Sequence, residues 1–185
     1  MLPRQPFYFL RHGETDWNKA RRYQGQRDIP LNAEGRAQAE RAKALLRDHS
    51  IATICSSPLR RARETAEILN QQLCCPLVVI DGLKECAYGE LEGCPKTGPE
   101  VDVDWRQGIT PPGGEPYAAF SARVLSGLAQ SLGHPGPVLV VAHRAVYWPL
   151  QQFARLTAEE ELPNAHPLRL EPSGSDAEAW CATLL

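Results

Sequence analysis

The sequence lacks any long hydrophobic run, and this absence argues against an integral membrane protein. No uninterrupted apolar stretch reaches the roughly 20 residues that a membrane-spanning helix needs. The first residues, Met1 to Pro6, also lack the apolar centre of a secretory signal peptide. We therefore expect a cytoplasmic protein with no membrane partner.

Surplus positive charge is missing as well. The chain has 20 Lys and Arg against 22 Asp and Glu, which gives a formal net charge of −2. A general nucleic-acid binder needs a basic surface to contact phosphates. No nucleic-acid partner is expected.

Cysteine pairs at metal-binding or redox spacing are absent. The chain has six cysteines, with no repeated C-x-x-C pair and no histidine nearby at zinc-finger spacing. We expect reduced and mostly buried thiols rather than a metal site or a disulfide framework. The six are Cys55, Cys74, Cys75, Cys86, Cys94 and Cys181.

What is present is the composition of an ordinary globular protein. Hydrophobic residues make up 43% of the chain and charged residues 23%, which is far from the disordered range. A chain of 185 residues fits one domain, and no linker, repeat or low-complexity tract divides it. We expect a single domain over residues 1–185.

Short apolar runs alternate with amphipathic stretches along the chain. This alternation predicts an α/β fold, in which a sheet carries helices on both faces. Strands are predicted at residues 7–10, 51–56, 77–80, 138–142, 168–170 and 179–184, the last two separated by a Ser-Gly turn. Helices are predicted after Asn32, from Ser57, at 115–132 and at about 145–156. Residues 81–114 look like a loop, and a loop of that length is usually functional or contains short helices.

Local patterns predict how two of the helices begin and pack. Asn32 is expected to cap the helix that follows it, and Arg36 to pair with Glu40 on its exposed side. Ser57 is expected to cap the next helix, with Pro58 at its first position. The apolar stripes are predicted as Ala37, Ala42, Leu45 and Leu46 in the first helix and Ala62, Ala66, Leu69 and Leu73 in the second.

The stretch from Phe7 to Asn18 carries the strongest functional signal. Four apolar residues typical of a buried strand are followed at once by Arg11, His12 and Gly13. Ligands of open α/β sheets bind at this carboxyl edge. An Arg beside a His suits an anion, and glycine lets the backbone approach it closely. The alternative is a strand end that happens to carry a basic pair, and the local pattern gives it equal weight.

The motif Arg-His-Gly-Glu-Thr at residues 11–15, followed by Asn18, resembles the signature of the histidine phosphatase superfamily in its phosphoglycerate-mutase-like branch. The similarity continues through residues 23–32 to Gly35 and Gln38-Ala39. It implies a three-layer α/β/α sandwich on a mostly parallel sheet with one antiparallel strand. It also implies that His12 is a nucleophile that takes a phosphoryl group from the substrate.

A second block, Ser56 to Ala66, resembles the family segment whose arginine, here Arg61, binds the phosphoryl group. A helix arginine is usually a solvated surface charge. Near a helix N-terminus a cation opposes the helix dipole, which suggests a phosphate shared with the helix. Arg60 and Arg63 are expected to face solvent.

The resemblance also assigns a proton donor and a second histidine. Residues 83–93 contain Glu85, Glu90 and Glu92; the residues alone do not choose among them, and the family pattern implies Glu85. His143 follows a predicted central strand, as His12 does, and matches the family's second histidine. Pro112 to Glu115, Arg123-Val124 and Leu162 to Ala165 also resemble family blocks.

Together these residues predict metal-independent phosphoryl transfer without a cofactor. Arg11, Asn18, Arg61 and His143 would bind the phosphoryl group while His12 attacks it, and Glu85 would protonate the leaving oxygen. The expected function is hydrolysis of small phosphorylated metabolites, and the sequence is compatible with a homo-oligomer.

Two alternatives stay open. A phosphoglycerate mutase is ranked lower because the segment between Glu85 and His143 is short and lacks the mutases' paired arginines. A catalytically inactive module that binds phosphorylated ligands is the third interpretation. The chain also departs from the family pattern, with Arg144 and Pro116 in place of the usual Gly and Ser. Arg144 is a candidate for binding a second anionic group, or else an ordinary surface residue.

Overall fold

The computed structural model describes residues 2–96, 105–156, 162–173 and 179–185. The strands are β1 (Phe7–Arg11), β2 (Thr53–Ser56), β3 (Leu77–Val79), β4 (Val138–Ala142), β5 (Leu168–Pro172) and β6 (Trp180–Leu184). They form one six-stranded sheet in the order β3-β2-β4-β1-β5-β6.

The helices are α1 (Asp16–Lys19), α2 (Ala33–Leu46), α3 (Arg60–Leu73), α4 (Tyr117–Leu132) and α5 (Arg144–Ala154). Two 3₁₀ turns, Asp81–Leu83 and Gly89–Leu91, lie in the long loop between β3 and α4. Within the described ranges, no helix is long and apolar enough to cross a membrane.

The sheet is mostly parallel. Strand β4 pairs in parallel with β1 and β2, and β2 pairs in parallel with β3. Strand β5 is antiparallel to both β1 and β6, so it alone runs against the other five strands. This confirms the prediction of a mostly parallel sheet with one antiparallel strand.

Helices cover both faces of the sheet. Phe7 and Phe9 of β1 belong to a core that includes α4 and α5, whereas Tyr8 and Leu10 belong to a core that includes α2 and α3. This alternation is the period of two that a strand imposes on its side chains. The predicted α/β fold with three α/β/α layers is therefore confirmed.

Helix α2 begins as predicted, and two of its four predicted core residues, Ala42 and Leu46, are buried. The Asn32 side chain accepts a hydrogen bond from Gly35 N–H at 2.8 Å and so caps the helix. Leu45 was expected in the core, yet it is 37% exposed, and the buried residue is Ala39. The true stripe is Gly35, Ala39, Ala42 and Leu46, which has the helical spacing of four, three and four residues.

The predicted pair between Arg36 and Glu40 is wrong. Arg36 binds Glu64 of α3 at 3.2 Å, and Glu40 binds Lys43 at 2.7 Å. Helix α3 packs beside α2, so a partner 28 residues away in sequence replaces the one expected on the same helix.

The predicted start of α3 is also wrong. The helix begins at Arg60 with Leu59 as N-cap, and no side chain caps it. Ser57 and Pro58 precede the helix, and the Ser57 hydroxyl contacts His143 at 2.8 Å. The predicted buried face of this helix is confirmed for Ala62, Ala66 and Leu69.

Trp105 is fully buried and anchors residues 105–116, the last part of the long loop before α4. Its indole N–H donates to the Glu115 carbonyl at 2.7 Å, and its ring lies 5.0 Å from that of Phe120 and 5.8 Å from that of Tyr88. The short helices predicted for this loop are present as the two 3₁₀ turns. The turn predicted between the last two strands falls largely on residues 174–178, outside the described residues.

All six cysteines are free thiols in this structure. The expectation that most are buried is wrong. Cys55 and Cys86 are buried, whereas Cys74, Cys94 and Cys181 are exposed.

Candidate active site

His12 directly follows β1, and its backbone N–H continues the sheet by donating to the Ala142 carbonyl at 3.0 Å. The side chain is 3% exposed, and Nδ1 lies 2.7 Å from the Gly13 carbonyl oxygen. A carbonyl oxygen can only accept, so Nδ1 carries the proton and Nε2 keeps a lone pair. Burial, followed by the charges of Arg61 and Arg11, lowers the pKa of His12 well below its usual value. The ring is therefore neutral, with Nε2 as its nucleophilic nitrogen.

Arg61, in the first turn of α3, is a fully buried cation beside His12. Its Nε donates to His12 Nε2 at 3.2 Å, and its two terminal nitrogens donate to the Arg27 and Gly25 carbonyls, both at 2.8 Å. Burial lowers the pKa of Arg61 to about 10, so it stays charged at neutral pH. Arg61 forms no ion pair with any residue in the described part of the chain. A buried cation without an ion-pair partner is costly, which makes this position suited to a bound anion.

His143 directly follows β4 and is fully buried, with its ring centroid 5.2 Å from that of His12. Its Nε2 lies 2.8 Å from the Ser57 hydroxyl, which also accepts from Leu59 N–H at 3.3 Å. The hydroxyl has one proton that it can donate to Nε2, and in that arrangement the ring proton of His143 lies on Nδ1. Nδ1 has no hydrogen-bond partner within the described ranges. Burial, then the charge of Arg61, lowers the pKa of His143 well below its usual value.

Glu85 lines the same cavity as His12 and Arg61. It is 8% exposed, and its carboxyl oxygens accept from Cys86 N–H at 2.9 Å and Ala145 N–H at 3.4 Å. Burial raises the pKa of Glu85, although the charge of Arg61 and the two backbone hydrogen bonds oppose this. A carboxyl group that holds its proton to higher pH is suited to act as an acid.

The two other carboxylates of this segment do not line the cavity. Glu90 is exposed. Glu92 accepts from Gln26 N–H at 2.9 Å and pairs with Arg27 at 3.3 Å. Of the three carboxylates that the sequence alone could not distinguish, Glu85 is therefore the one that lines the cavity.

Arg123 of α4 holds the segment that carries Glu85, and the sequence patterns did not indicate this role. Its Nη1 donates to the Gly82 and Lys84 carbonyls, both at 3.0 Å, and its Nη2 to the Glu85 carbonyl at 3.4 Å. Two further bonds, at 2.9 and 2.7 Å, join it to the Glu115 carboxylate. The available signal was that both Glu115 and Arg123 lie in blocks that resemble the family.

Arg11 and Asn18 also line the cavity. The Asn18 Oδ1 accepts from the Thr15 N–H at 3.1 Å and from its hydroxyl at 3.0 Å, as part of a capping box for the short helix α1, which was not predicted. The side-chain nitrogen of Asn18, Nδ2, makes no hydrogen bond with a described residue, so its two N–H donors are available to a ligand. Arg11 donates to the Leu162 carbonyl at 3.2 Å.

Two further residues fix the backbone around the nucleophile, and the sequence patterns gave them no role. Asn164 donates from its amide to the His12 carbonyl at 2.7 Å. The Thr65 hydroxyl accepts from Gly13 N–H at 3.0 Å and donates to the Arg61 carbonyl at 2.7 Å. Thr65 thus joins the loop after β1 to the helix that carries Arg61.

Gly13 has a steric role in the packing of the loop after β1. A Cβ atom on Gly13 would collide with the Gly35 carbonyl, and one on Gly35 would collide with the Glu14 carbonyl. The two glycines let the loop after β1 lie against the start of α2. The expectation that Gly13 also lets the backbone approach an anion stays a prediction.

The cavity has a volume of about 190 Å³ and extends beyond these groups to an outer rim. The rim cations are Arg21, Arg22, Lys96 and Arg144. Arg144 is the exposed first residue of α5, with ordinary helical backbone. Of the residues that the structure describes, no group of three or more His, Cys, Asp or Glu could hold a metal ion.

The fold and the paired histidines match a known family of enzymes. Residues 7–171 match the profile of the histidine phosphatase superfamily (branch 1). The chain belongs to this superfamily.

Individual relatives agree with this assignment. The chain is 42% identical over 178 residues to the uncharacterized phosphatase PhoE of Bacillus subtilis, covering 95% of this chain and 81% of the relative. It is 38% identical over 146 residues to a probable phosphoglycerate mutase, GpmB, of Salmonella choleraesuis, covering 74% of this chain and 68% of the relative. Among solved structures, the phosphoglycerate mutase of Thermus thermophilus superposes with a TM-score of 0.76 at 29% identity, covering 98% of both chains.

Proposed function

We propose that the protein hydrolyses phosphate monoesters of small metabolites through a phosphohistidine formed at Nε2 of His12. The observation that carries this proposal is the contact of 3.2 Å between that nitrogen and the buried, unpaired cation of Arg61. The neutral nucleophile and the fixed cation are therefore in contact at a buried position. Such preorganised charge stabilises a transferring phosphoryl group.

In the first step His12 Nε2 attacks phosphorus, and the bond from phosphorus to the ester oxygen breaks. Arg11, Arg61, Asn18 and His143 donate to the phosphoryl oxygens, with His143 using its Nδ1 proton. The proton on His12 Nδ1 stays in place, and the Gly13 carbonyl 2.7 Å away stabilises the positive charge that develops on the ring. Glu85 gives its proton to the departing alkoxide.

In the second step water attacks the phosphohistidine. Glu85, now ionised, takes a proton from the water as the bond between phosphorus and Nε2 breaks. Inorganic phosphate leaves, His12 returns to the neutral ring, and Glu85 is protonated again. No metal or cofactor takes part in this scheme.

The second candidate is a mutase, and the relatives named as phosphoglycerate mutases favour it. A mutase would keep the phosphohistidine until a second hydroxyl group of the substrate accepts the phosphoryl group. Both candidates use the same first step, so the fate of the phosphohistidine decides between them.

A panel of phosphorylated metabolites tests the proposal, assayed for phosphate release with and without bisphosphoglycerate and with and without a chelator. We expect phosphate release that does not require bisphosphoglycerate and is not reduced by the chelator. Protein quenched within the first turnover should carry an acid-labile phosphate. His12→Ala should lose both, whereas His134→Ala, outside the cavity, should keep both. Transfer between hydroxyl groups without release would support the mutase. Phosphate found covalently attached to serine or aspartate would contradict both candidates. Binding of substrates by the wild-type protein without turnover would also contradict both.

A further inference from the structure

Glu92 is a nearly buried carboxylate that lies outside the cavity lining. Its side chain is 10% exposed. One carboxylate oxygen accepts from the Gln26 N–H at 2.9 Å and from the Tyr88 N–H at 3.2 Å, and the other lies 3.3 Å from Arg27 Nε. Burying a carboxylate costs free energy unless its oxygens are hydrogen-bonded. The contacts of Glu92 with the backbone therefore hold its charge at a fixed place.

One peptide group joins Glu92 to Arg61. The Gly25 carbonyl of this group accepts from Arg61 Nη2 at 2.8 Å. The N–H of the same group belongs to Gln26 and donates to Glu92 at 2.9 Å. The C=O and N–H of a trans peptide point in opposite directions, so the cation and the anion lie on opposite sides of it. Both charges favour the same orientation of the peptide dipole, and hydrogen bonds in such a chain strengthen one another.

A second carbonyl strengthens this connection. The Arg27 carbonyl accepts from Arg61 Nη1 at 2.8 Å, while the Arg27 side chain pairs with Glu92 at 3.3 Å. Glu92 therefore contacts both residues that follow Gly25, in the segment whose two carbonyls orient the guanidinium. Burial lowers the pKa of Arg61, and Glu92 is one of the carboxylates whose charge opposes this.

Gly25 lets the carboxylate lie directly against the chain. Its φ of 52° is in the left-handed region that favours glycine, and a Cβ atom there would collide with the Glu92 carboxylate. The segment of residues 25–27 is therefore fixed between two side chains, Arg61 on one side and Glu92 on the other.

We propose that Glu92 is a positioning residue for phosphoryl transfer, which orients the Arg61 guanidinium against His12 Nε2 through the peptide group between Gly25 and Gln26. The inference rests on the proposed function for the reaction that Arg61 serves. Glu92 contacts neither the substrate nor the reacting atoms, so its effect on the reaction passes through Arg61.

Heteronuclear NMR of the Arg61 Nε–H group reports its position without any substrate. This N–H is buried and donates to His12, so in the wild-type protein it should exchange slowly with water. Glu92→Gln keeps the size of the side chain but removes its charge. We expect the exchange of the Arg61 Nε–H to become about ten-fold faster, the effect of losing one charge-assisted hydrogen bond. Arg61→Lys identifies the signal, because it removes it.

Two variants are matched controls for this measurement. Glu90→Gln makes the same change at an exposed position two residues earlier. Gln26→Ala removes the side-chain bond of 3.1 Å to the Glu85 carbonyl but keeps the Gln26 N–H. Neither should change the exchange of the Arg61 Nε–H. Glu92→Asp keeps the charge on a shorter side chain that cannot reach the same N–H, so it should speed the exchange as Glu92→Gln does.

A double-mutant cycle tests whether Glu92 acts on the reaction through Arg61. Glu92→Gln should lower kcat/KM by about ten-fold on alkyl and nitrophenyl phosphates alike and weaken inhibition by orthophosphate, because Arg61 serves all three ligands. In the Arg61→Lys protein the same substitution should cost less than about two-fold.

Three results would overturn the inference. They are unchanged exchange of the Arg61 Nε–H in the Glu92 variants, a loss of activity confined to alkyl esters, and a full loss from Glu92→Gln in the Arg61→Lys protein. If the wild-type protein releases no phosphate from any ester, the proposed function fails, and the exchange measurement alone decides whether Glu92 orients Arg61.

Discussion

The Nε of Arg61 lies 3.2 Å from Nε2 of His12 and donates to it, so a buried cation contacts the nitrogen that we propose as the nucleophile. This bond directs the His12 lone pair at the guanidinium. An incoming phosphoryl group must enter between the two, where its oxygens replace Nε2 as the acceptor. The attacking nitrogen and the charge that stabilises the transition state are therefore aligned before the substrate binds.

Arg61→Lys should remove most of the activity although it keeps the charge. The guanidinium serves three acceptors at once, His12 Nε2 and the carbonyls of Gly25 and Arg27, and an ammonium on a flexible stem cannot reproduce this planar arrangement. We expect kcat/KM for phosphate release to fall by about 100-fold or more. Arg63→Lys, on the exposed face of the same helix and paired with Glu67, is the control and should retain wild-type kinetics. Similar kinetics for both variants would contradict the role of Arg61.

Glu85→Gln should slow the hydrolysis of alkyl phosphates far more than that of nitrophenyl phosphate. An alkoxide needs a proton to leave, whereas nitrophenolate hardly does, so we expect losses of about 100-fold and under about 10-fold, respectively. Burial raises the pKa of Glu85. The wild-type rate on alkyl esters should therefore fall as pH rises through that pKa, and the variant should lack this fall. Glu90→Gln is the control, and equal losses on both esters would remove Glu85 from the acid role.

Arg123→Lys should give a weaker version of the same pattern. Arg123 contacts none of the four residues proposed to bind the phosphoryl group, but it binds the carbonyls of Gly82, Lys84 and Glu85 and so positions the acid. We expect a selective loss on alkyl phosphates of about 10-fold, with unchanged inhibition by orthophosphate. Equal losses on alkyl and nitrophenyl esters, or weaker orthophosphate inhibition, would indicate a general disturbance of the fold instead.

The sequence predicted well those features that depend on neighbouring residues. The runs that became β1 and β4 end in His12 and His143, and parallel strands bring their carboxyl ends to one edge of the sheet. The Asn32 cap likewise depends on a residue three positions away. These features follow from local pattern and from one topological rule.

Features that depend on distant partners were missed or predicted wrongly. Ser57 looked like a helix cap, but its hydroxyl binds His143, 86 residues away. Arg36 pairs with Glu64 of α3 and not with Glu40, which lies four residues away on the same helix. The support that Arg123 gives to Glu85 spans 38 residues. Such contacts are set by how the elements pack, and no local pattern in the chain encodes them.

The two buried histidines should make the protein less stable in acid. In the folded protein the pKa values of His12 and His143 are lowered well below the usual 6.5, mainly by burial. Below pH 6.5 the unfolded chain therefore takes up protons that the folded protein does not, so the free energy of unfolding falls as pH falls. Each histidine should contribute a loss on the order of 1 kcal/mol between pH 7.5 and 5.5.

Chemical denaturation of the wild-type protein, His12→Gln and His143→Gln at these two pH values measures the effect. Glu85, whose pKa is raised, acts in the opposite direction, because the folded protein binds its proton more tightly and gains stability as pH falls through that pKa. Comparing each variant with the wild-type protein removes this common contribution. Over this interval each single variant should lose less stability than the wild-type protein, by an amount on the order of 1 kcal/mol, and for the double variant this difference should be about twice as large. His134→Gln, which removes a histidine outside the cavity, is the matched control. If the cavity variants lose as much stability in acid as this control does, burial does not keep the two rings neutral. That outcome would contradict the neutral His12 on which the proposed mechanism depends.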